Sequence, residues 1–213
     1  MSRLQVDLEP LPFPVLVHTT ERTTRERYRA FCQANPNLRI EMTATGEIIV
    51  MPAAHSRTGE QNSEISMQLG IWARKDGRGV AFDSSAGFDL PNGSNRSPDA
   101  AWVLETRITV LPPLEQDGYL PLCPDFVIEL RSRSDSLPGL KEKMQEYMEN
   151  GARLGWLIDP VAQQVFVYLP GKEPEYMARP DRLSGEDVLP NFVLELERIW
   201  NPVVGRAHAR PKQ

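Results

Sequence analysis

The sequence predicts an α/β domain of the α+β type, in which a mixed β-sheet is flanked by helices. Strand patterns outnumber helix patterns, and helix patterns separate the groups of strands, which favours this class over a sandwich or a helical bundle. With 213 residues, the chain is long enough to bury one large core without disulfides. We expect an N-terminal extension over residues 1–22, one domain over 23–200 and a basic C-terminal tail over 201–213.

The first helix and the hairpin that follows it have clear local signals. Thr23 and Glu26 form a capping-box pattern with Thr23 as the N-cap, and the helix is expected to end before Asn35. Alternating polar and apolar residues over 38–42, and a β-rich run over 47–51, then predict two strands joined by a short turn.

Two more helices separate the later strands. One is predicted from Ser56 or Thr58 to about Lys75, and another from about Leu137 to Asn150, because each carries one apolar stripe. Strands are predicted over residues 80–82, 88–90, 99–104, 125–131, 155–158, 164–168 and 188–196. Loops are predicted over residues 91–98 and 105–124.

Composition and charge narrow the class of protein. Cys32 and Cys123 have no CxxC spacing, which argues against a zinc site and favours the reducing cytoplasm. No apolar run approaches the roughly 20 residues of a membrane-spanning helix, and a secretion signal is not evident, so we expect a cytoplasmic protein. The net charge of −5 argues against a nucleic-acid coat protein, but carboxylates clustered around a cation would leave a nuclease possible.

Common catalytic motifs are missing from the sequence. It contains no phosphate loop, no HExxH and no GxSxG, and His18, His55 and His208 lie in no motif. These absences argue against a serine hydrolase and against a histidine-based zinc enzyme. Acidic residues on predicted strands remain as the candidates for chemistry.

Asp99 opens one predicted strand, and Glu129 lies inside another that is mostly apolar. A carboxylate such as Glu129, within the run Phe-Val-Ile-Glu-Leu, is costly to bury unless it is paired, hydrogen-bonded or bound to metal. Two carboxylates suit Mg²⁺ or Mn²⁺. The residues alone leave two alternatives open: an ion pair of Glu129 with Arg131 or a helix lysine, and a turn role for Asp99.

Four ordered blocks of the sequence carry a family resemblance. They span residues 97–103, 124–132, 140–147 and 151–160. In this order they resemble the Uma-type family of restriction-endonuclease-like proteins, which is abundant in cyanobacteria. The similarity extends from roughly Leu38 to Val193, so it covers most of the chain.

The resemblance implies a restriction-endonuclease-like fold with a PD-(D/E)XK site. Asp99 matches the aspartate of that motif and Glu129 its second acidic position, but Arg131 stands where a lysine is expected. In related families the lysine lies on the following helix, and Lys143 is the match we favour over Lys141. Arg131 remains a candidate for contacting phosphate, although an arginine is a poor base at neutral pH.

These assignments imply a metal-dependent endonuclease that hydrolyses DNA. Asp99, Glu129 and the backbone carbonyl of Leu130 would hold Mg²⁺ or Mn²⁺, and Lys143 would orient or deprotonate the attacking water. A homodimer is a further expectation, since nucleases of this kind often dimerise to reach both strands. Two rivals are kept: a decayed fold that binds nucleic acid or protein, and a hydrolase of another phosphoester.

Other charged residues are weaker candidates. Glu41 resembles a glutamate that recurs in the family, whereas Glu60 or Glu64 would supply the acidic residue that many such folds place on a core helix. Three basic groups are candidates for contacting nucleic acid: Arg22, Arg25, Arg27 and Arg29; Arg74, Lys75 and Arg78; Arg131 and Arg133.

Overall fold

The computed structural model describes residues 15–17, 21–51 and 53–205. Its helices are α1 (Arg25–Ala34), α2 (Ser56–Asp76), α3 (Glu105–Thr109), α4 (Pro113–Gln116), α5 (Leu137–Glu149) and α6 (Glu197–Trp200). Its strands are β1 (Val15–Val17), β2 (Arg39–Met42), β3 (Ile48–Met51), β4 (Gly79–Asp83), β5 (Phe88–Asp89), β6 (Asn95–Arg96), β7 (Ala100–Leu104), β8 (Phe126–Leu130), β9 (Leu154–Asp159), β10 (Gln164–Tyr168), β11 (Glu175–Ala178), β12 (Arg182–Ser184) and β13 (Val193–Glu195).

A six-stranded sheet forms the centre of the fold, in the order β11-β10-β9-β8-β7-β4. Strands β8 and β9 are parallel and are connected through α5, whereas the other neighbouring strands are antiparallel. Helix α2 packs on one face of this sheet and α5 packs on the other. The arrangement confirms the predicted class, a mixed sheet flanked by helices.

Strand β8 divides its side chains between the two faces, as its alternating pattern predicts. Phe126, Ile128 and Leu130 join the core under α2. Val127 joins the core under α5, and Glu129 lies on the same side of the strand as Val127. All five residues of β8 are buried, so the carboxylate of Glu129 is held inside the protein.

A second sheet, in the order β1-β3-β2-β6-β5, packs against α1. Its core includes Tyr28 from α1 and Met42 and Val50 from the β2–β3 hairpin. The hairpin confirms the strand prediction, and Gly46 in its turn has a φ of +88°, a conformation that favours glycine. This sheet carries Glu41 toward the central sheet.

Local predictions fail where the elements are short. The N-cap of α1 is Thr24 and not Thr23: its side chain accepts a hydrogen bond from the backbone N–H of Arg27. The predicted loop 91–98 contains β6, and the predicted loop 105–124 contains α3 and α4. Most of the predicted extension 1–22 and the tail from residue 206 onward lie outside the described residues.

None of the helices within residues 15–17, 21–51 and 53–205 is long and apolar enough to cross a lipid bilayer. The longest of them, α2, has 21 residues, but its sequence contains six charged residues: Arg57, Glu60, Glu64, Arg74, Lys75 and Asp76.

Candidate active site

Strand register brings Asp99 and Glu129 together. Ala100 pairs with Ile128 and Ala101 with Val127 across β7 and β8, so the next positions outward are those of Asp99 and Glu129. Both residues are buried, with 7% of Asp99 and 3% of Glu129 exposed. The two candidate ligands therefore occupy neighbouring positions on adjacent strands.

The carboxylate of Asp99 is fixed by three donors. Its Oδ2 accepts a hydrogen bond of 2.8 Å from the backbone N–H of Leu130. Its Oδ1 accepts one of 3.1 Å from Asn62 on α2, and it lies 3.4 Å from the guanidinium of Arg39 on β2. Leu130 thus orients Asp99 through its N–H, and the role of its carbonyl as a metal ligand stays a prediction.

Lys143 reaches the same site from α5. Its Nζ lies 2.8 Å from Oε1 of Glu129 and 2.8 Å from Oε1 of Glu41. Lys141 lies two residues earlier on the helix, and its Nζ stands 4.0 Å from the ring centre of Phe166. The helix phase therefore places Lys143, and not Lys141, beside the buried carboxylates.

Glu41 belongs to an ion-pair network at the edge of this site. It is 2% exposed and accepts hydrogen bonds from Arg96 at 3.2 Å and from the backbone N–H of Ser97 at 3.0 Å. Arg96 also binds Glu146 of α5 at 2.6 Å. Glu41 thus has two cationic partners, Lys143 and Arg96.

The two glutamates that share Lys143 have opposite pKa shifts. Burial raises the pKa of Glu41, but Lys143, Arg96 and the Ser97 N–H together lower it to about 2. Burial also raises the pKa of Glu129, and the like charges of Asp99 and Glu41 offset the effect of Lys143, so that it reaches about 7.

Lys143 itself keeps its proton. Burial lowers its pKa, but the charges of Glu129 and Glu41 outweigh burial, and the net shift is upward. Tyr147, one turn further along α5, donates a hydrogen bond of 3.0 Å to the same Oε1 of Glu129. No described residue donates a hydrogen bond to Oε2 of Glu129.

Arg131 is not the ion-pair partner of Glu129, which was one of the alternatives that the sequence left open. Its guanidinium binds Asp159 at 2.8 Å and the backbone carbonyl of Asp135 at 3.2 Å, and it does not line the cleft. At the position where the PD-(D/E)XK pattern has a lysine, this chain therefore has an arginine that forms an ion pair with Asp159. The partner of Glu129 is the helix lysine, Lys143.

The acidic candidates on α2 also have other partners. Glu60 accepts hydrogen bonds from the backbone N–H groups of Val203 and Val204, at 2.6 and 2.8 Å. Glu64 lies 3.7 Å from Arg198. Neither residue lines the cleft that contains Asp99, nor do the basic residues proposed to contact nucleic acid.

The site opens into a cleft with a volume of about 730 Å³. Acidic residues outnumber lysines and arginines in its lining. The acidic residues are Glu41, Asp99, Glu129, Asp135, Glu142, Glu146 and Glu149, and the basic ones are Arg39, Arg96 and Lys143. A polyanion would meet net repulsion here unless a cation were bound.

The donor set fits Mg²⁺ or Mn²⁺. Among the residues that the structure describes, no three His, Cys, Asp or Glu side chains converge on one cation position. Mg²⁺, however, is usually held by one or two carboxylates and keeps several waters. Asp99 and Glu129 supply two such carboxylates, and within the described ranges Oε2 of Glu129 has no donor.

Sequence reasoning missed several residues of this site. Asn62, Arg96 and Tyr147 make direct contacts with the acidic residues, and Arg39 adjoins Asp99. For Arg39 a signal existed, because strand alternation places it on the same face of β2 as Glu41. The others depend on contacts between distant segments, which no local pattern reveals.

Comparison with known proteins agrees with this architecture. A model of the Uma2 family, described as "Putative restriction endonuclease", matches residues 25–197. A crystal structure described as a "putative nuclease belonging to DUF820", from Anabaena variabilis, matches with a TM-score of 0.65 at 24% identity, over 76% of this chain and 89% of that chain. No curated protein matches the sequence. Because the family model spans most of the described domain, the chain belongs to the Uma2 family.

Proposed function

We propose that this protein is a metal-dependent endonuclease that hydrolyses phosphodiester bonds of DNA. One observation carries the proposal: Lys143 contacts Glu129, and Glu129 lies in register beside Asp99 at the wall of an open cleft. These are the three residue types of a PD-(D/E)XK site. The family description and the nuclease title of the structural neighbour support the same activity.

Asp99 and Glu129 would hold the cation, together with the backbone carbonyl of Leu130. Bound there, Mg²⁺ or Mn²⁺ would polarise a phosphoryl oxygen and lower the pKa of a water molecule. The protein contributes a fixed geometry, because Leu130 and Asn62 both donate hydrogen bonds to Asp99. Tyr147 holds Glu129 in the same way.

Lys143 would act as a cation rather than as a free base in this arrangement. Its raised pKa keeps it protonated at neutral pH, so it can donate a hydrogen bond to the attacking water or to the phosphoryl group. Arg131 takes no part, since its guanidinium is committed to Asp159.

The test is cleavage of supercoiled plasmid in the presence of Mg²⁺ or Mn²⁺. We expect nicking by the wild-type protein and a loss of at least about 100-fold in Asp99→Ala, Glu129→Ala and Lys143→Ala. Lys141→Ala is the matched control, because this lysine lies on the same helix but packs over Phe166. Nicking that survives in Asp99→Ala would sink the proposed site.

A negative result has a defined meaning. If the protein cuts none of the DNA or RNA substrates and Mg²⁺ leaves its stability unchanged, a decayed fold that binds nucleic acid or protein becomes the better proposal. Hydrolysis of small phosphoesters alone, dependent on Asp99, would keep the metal site and replace the substrate.

A further inference from the structure

Arg39 lies at the cleft with part of its guanidinium unused. Its Nη2 donates to the backbone carbonyl of Ser97 at 3.1 Å and approaches Oδ1 of Asp99 at 3.4 Å, which is long for a charged hydrogen bond. About 30% of the side chain is exposed, and it lines the cleft. The guanidinium thus faces both the candidate ligand and the open space where a substrate would lie.

The Nε of Arg39 is buried without a hydrogen-bond partner. Among the described residues, three other buried side-chain nitrogen or oxygen atoms share this condition, and one of them is Oδ1 of Asn62, whose Nδ2 donates to Asp99. A buried donor without a partner costs about 1–3 kcal/mol. The guanidinium of Arg39 is therefore incompletely hydrogen-bonded beside Asp99, and a ligand in the cleft would complete its bonding.

The other cations of the cleft are already committed. Lys143 contacts two carboxylates, and Arg96 uses its Nε for Glu146 and its Nη1 for Glu41. Arg39 has a single long contact with one carboxylate. In a lining dominated by acidic residues, it is therefore the arginine with donors left for an anion.

We propose that Arg39 binds the two non-bridging oxygens of a substrate phosphate, next to the cation proposed at Asp99. The planar fork of a guanidinium matches two oxygens of a phosphodiester, which a lysine cannot reproduce. As a DNA contact, the assignment rests on the proposed nuclease function. It adds a residue that recognises the substrate backbone rather than its bases.

The first experiment measures the affinity for a short labelled DNA duplex in Ca²⁺, with a gel to verify that the duplex stays intact. Between about 50 and 200 mM salt, Arg39→Gln should bind about ten-fold more weakly, and its slope of log K against log salt should be less negative by about 1. Arg39→Lys should keep the slope and lose part of the affinity. A structural role would leave the slope of Arg39→Gln unchanged, which would overturn the assignment.

Arg107→Gln is the matched control. Arg107 also pairs with a buried aspartate, Asp125, at 3.0 Å, and 35% of its side chain is exposed, but it does not line this cleft. Its loss should leave both affinity and salt slope at wild-type values. A slope change as large as that of Arg39→Gln would mean that the effect is one of overall charge, and it would count against Arg39.

A second experiment separates this assignment from the nuclease proposal. Inorganic phosphate, titrated at a fixed low concentration of Mg²⁺, should raise the unfolding temperature of the wild type and of Arg107→Gln but not that of Arg39→Gln. An equal rise in Arg39→Gln, or no rise in the wild type, overturns the phosphate role. If the wild type responds to phosphate but does not bind the duplex, the nuclease proposal fails and the phosphate site stands.

Discussion

At the scale of single residues, one lysine stabilises two buried carboxylates that differ in every other neighbour. Glu41 has Arg96 as a second cation, whereas Glu129 has Asp99 as an adjacent like charge. The result is a low pKa for Glu41 and a raised one for Glu129. A bound cation would stabilise the ionised form of Glu129 and lower its pKa again. A carboxylate with a raised pKa beside a second carboxylate is therefore a candidate metal ligand.

This contrast predicts a pH dependence of stability that belongs to Glu129. Its folded pKa of about 7 exceeds the ordinary 4.5, so its contribution is fully present below pH 4.5 and is lost as the pH rises through 7. The groups that face it are Lys143, Tyr147, Asp99 and Glu41. Without metal, Glu129→Gln should therefore lose less stability than the wild type between about pH 5 and 8.

The measurement is urea unfolding of both proteins in EDTA across that range. Gln is a fair substitute, because its amide oxygen can still accept the hydrogen bond of Tyr147. Glu41 does not interfere with this measurement. Because its pKa is lowered to about 2, its contribution to the stability of the protein is lost only as the pH falls below 4.5. Parallel curves for the two proteins would contradict the raised pKa.

At the scale of elements, the position of Lys143 is set by how α5 rests on β9. A Cβ on Gly155 would come within 2.5 Å of Cε of Met144, 3.0 Å of Cε of Met148 and 3.3 Å of Cγ2 of Val127. The ends of Met144 and Met148 therefore fill the space above Gly155, and the same helix carries Lys143 to Glu129.

Gly155→Val should crowd Met144 and Met148 on the face of α5 that packs on the sheet. We expect a loss of about 1–3 kcal/mol of unfolding free energy from overpacking, together with weaker plasmid nicking because Lys143 is displaced. Gly70→Ala is the control: a Cβ there meets nothing within 4 Å, and the change should stabilise α2 by up to about 1 kcal/mol. Full nicking activity in a destabilised Gly155→Val would separate helix packing from the site.

The N-terminal half of helix α2 contacts the segment that follows α6, through Glu60. Its carboxylate accepts both backbone N–H groups at Val203 and Val204, and Arg57 donates to the carbonyl of Val204 at 3.2 Å. Glu60→Ala should lower the unfolding free energy by about 1–2 kcal/mol, measured in urea, and leave the metal requirement of nicking unchanged. A changed metal requirement would restore Glu60 as a catalytic candidate.

The elements that sequence predicted well are the ones with long periodic patterns. α2, α5 and β8 each have enough residues for their apolar faces to repeat, and these elements carry Asn62, Lys143 and Glu129. β6 has two residues and is extended because it pairs with β2 of the second sheet, so its local sequence does not predict it.

The residues of the site also fall into two groups: some are identified by local sequence patterns, and others only by contacts between distant segments. Apolar flanks and the family resemblance identify Asp99 and Glu129, because their strands are readable from the sequence. The choice between Lys141 and Lys143 depends on the rotation of α5 about its axis, which only the folded chain shows. Arg39 and Asn62 reach Asp99 from segments 60 and 37 residues away, so only the folded chain reveals them.

At the scale of the whole molecule, the site is the junction between the two sheets. Glu41 of the second sheet and Glu129 of the central sheet meet at Lys143, and Arg96 joins the second sheet to Glu146 on α5. These ion pairs offset part of a strongly acidic lining in a chain with a net charge of −5. A cation bound at this junction would relieve the remaining repulsion and hold the parts together.

Metal binding should therefore register as global stability. At a Mg²⁺ or Mn²⁺ concentration about 100-fold above Kd, binding adds about 2.7 kcal/mol, or roughly 5–10 °C in Tm for a chain of this size. Asp99→Asn should abolish the rise, because an amide is a weaker ligand than a carboxylate. Glu64→Gln should retain it, since Glu64 faces Arg198 outside the cleft.

Thermal unfolding with and without EDTA measures each difference, and the comparison between variants locates the cation. An equal rise in Asp99→Asn would place the bound metal elsewhere on the acidic surface. If Mg²⁺ or Mn²⁺ does not raise the Tm of the wild type, the proposed metal site is wrong. Because the readout is stability and not cleavage, the result holds even before a substrate is found, and it decides whether the paired carboxylates are ligands or only a buried ion pair.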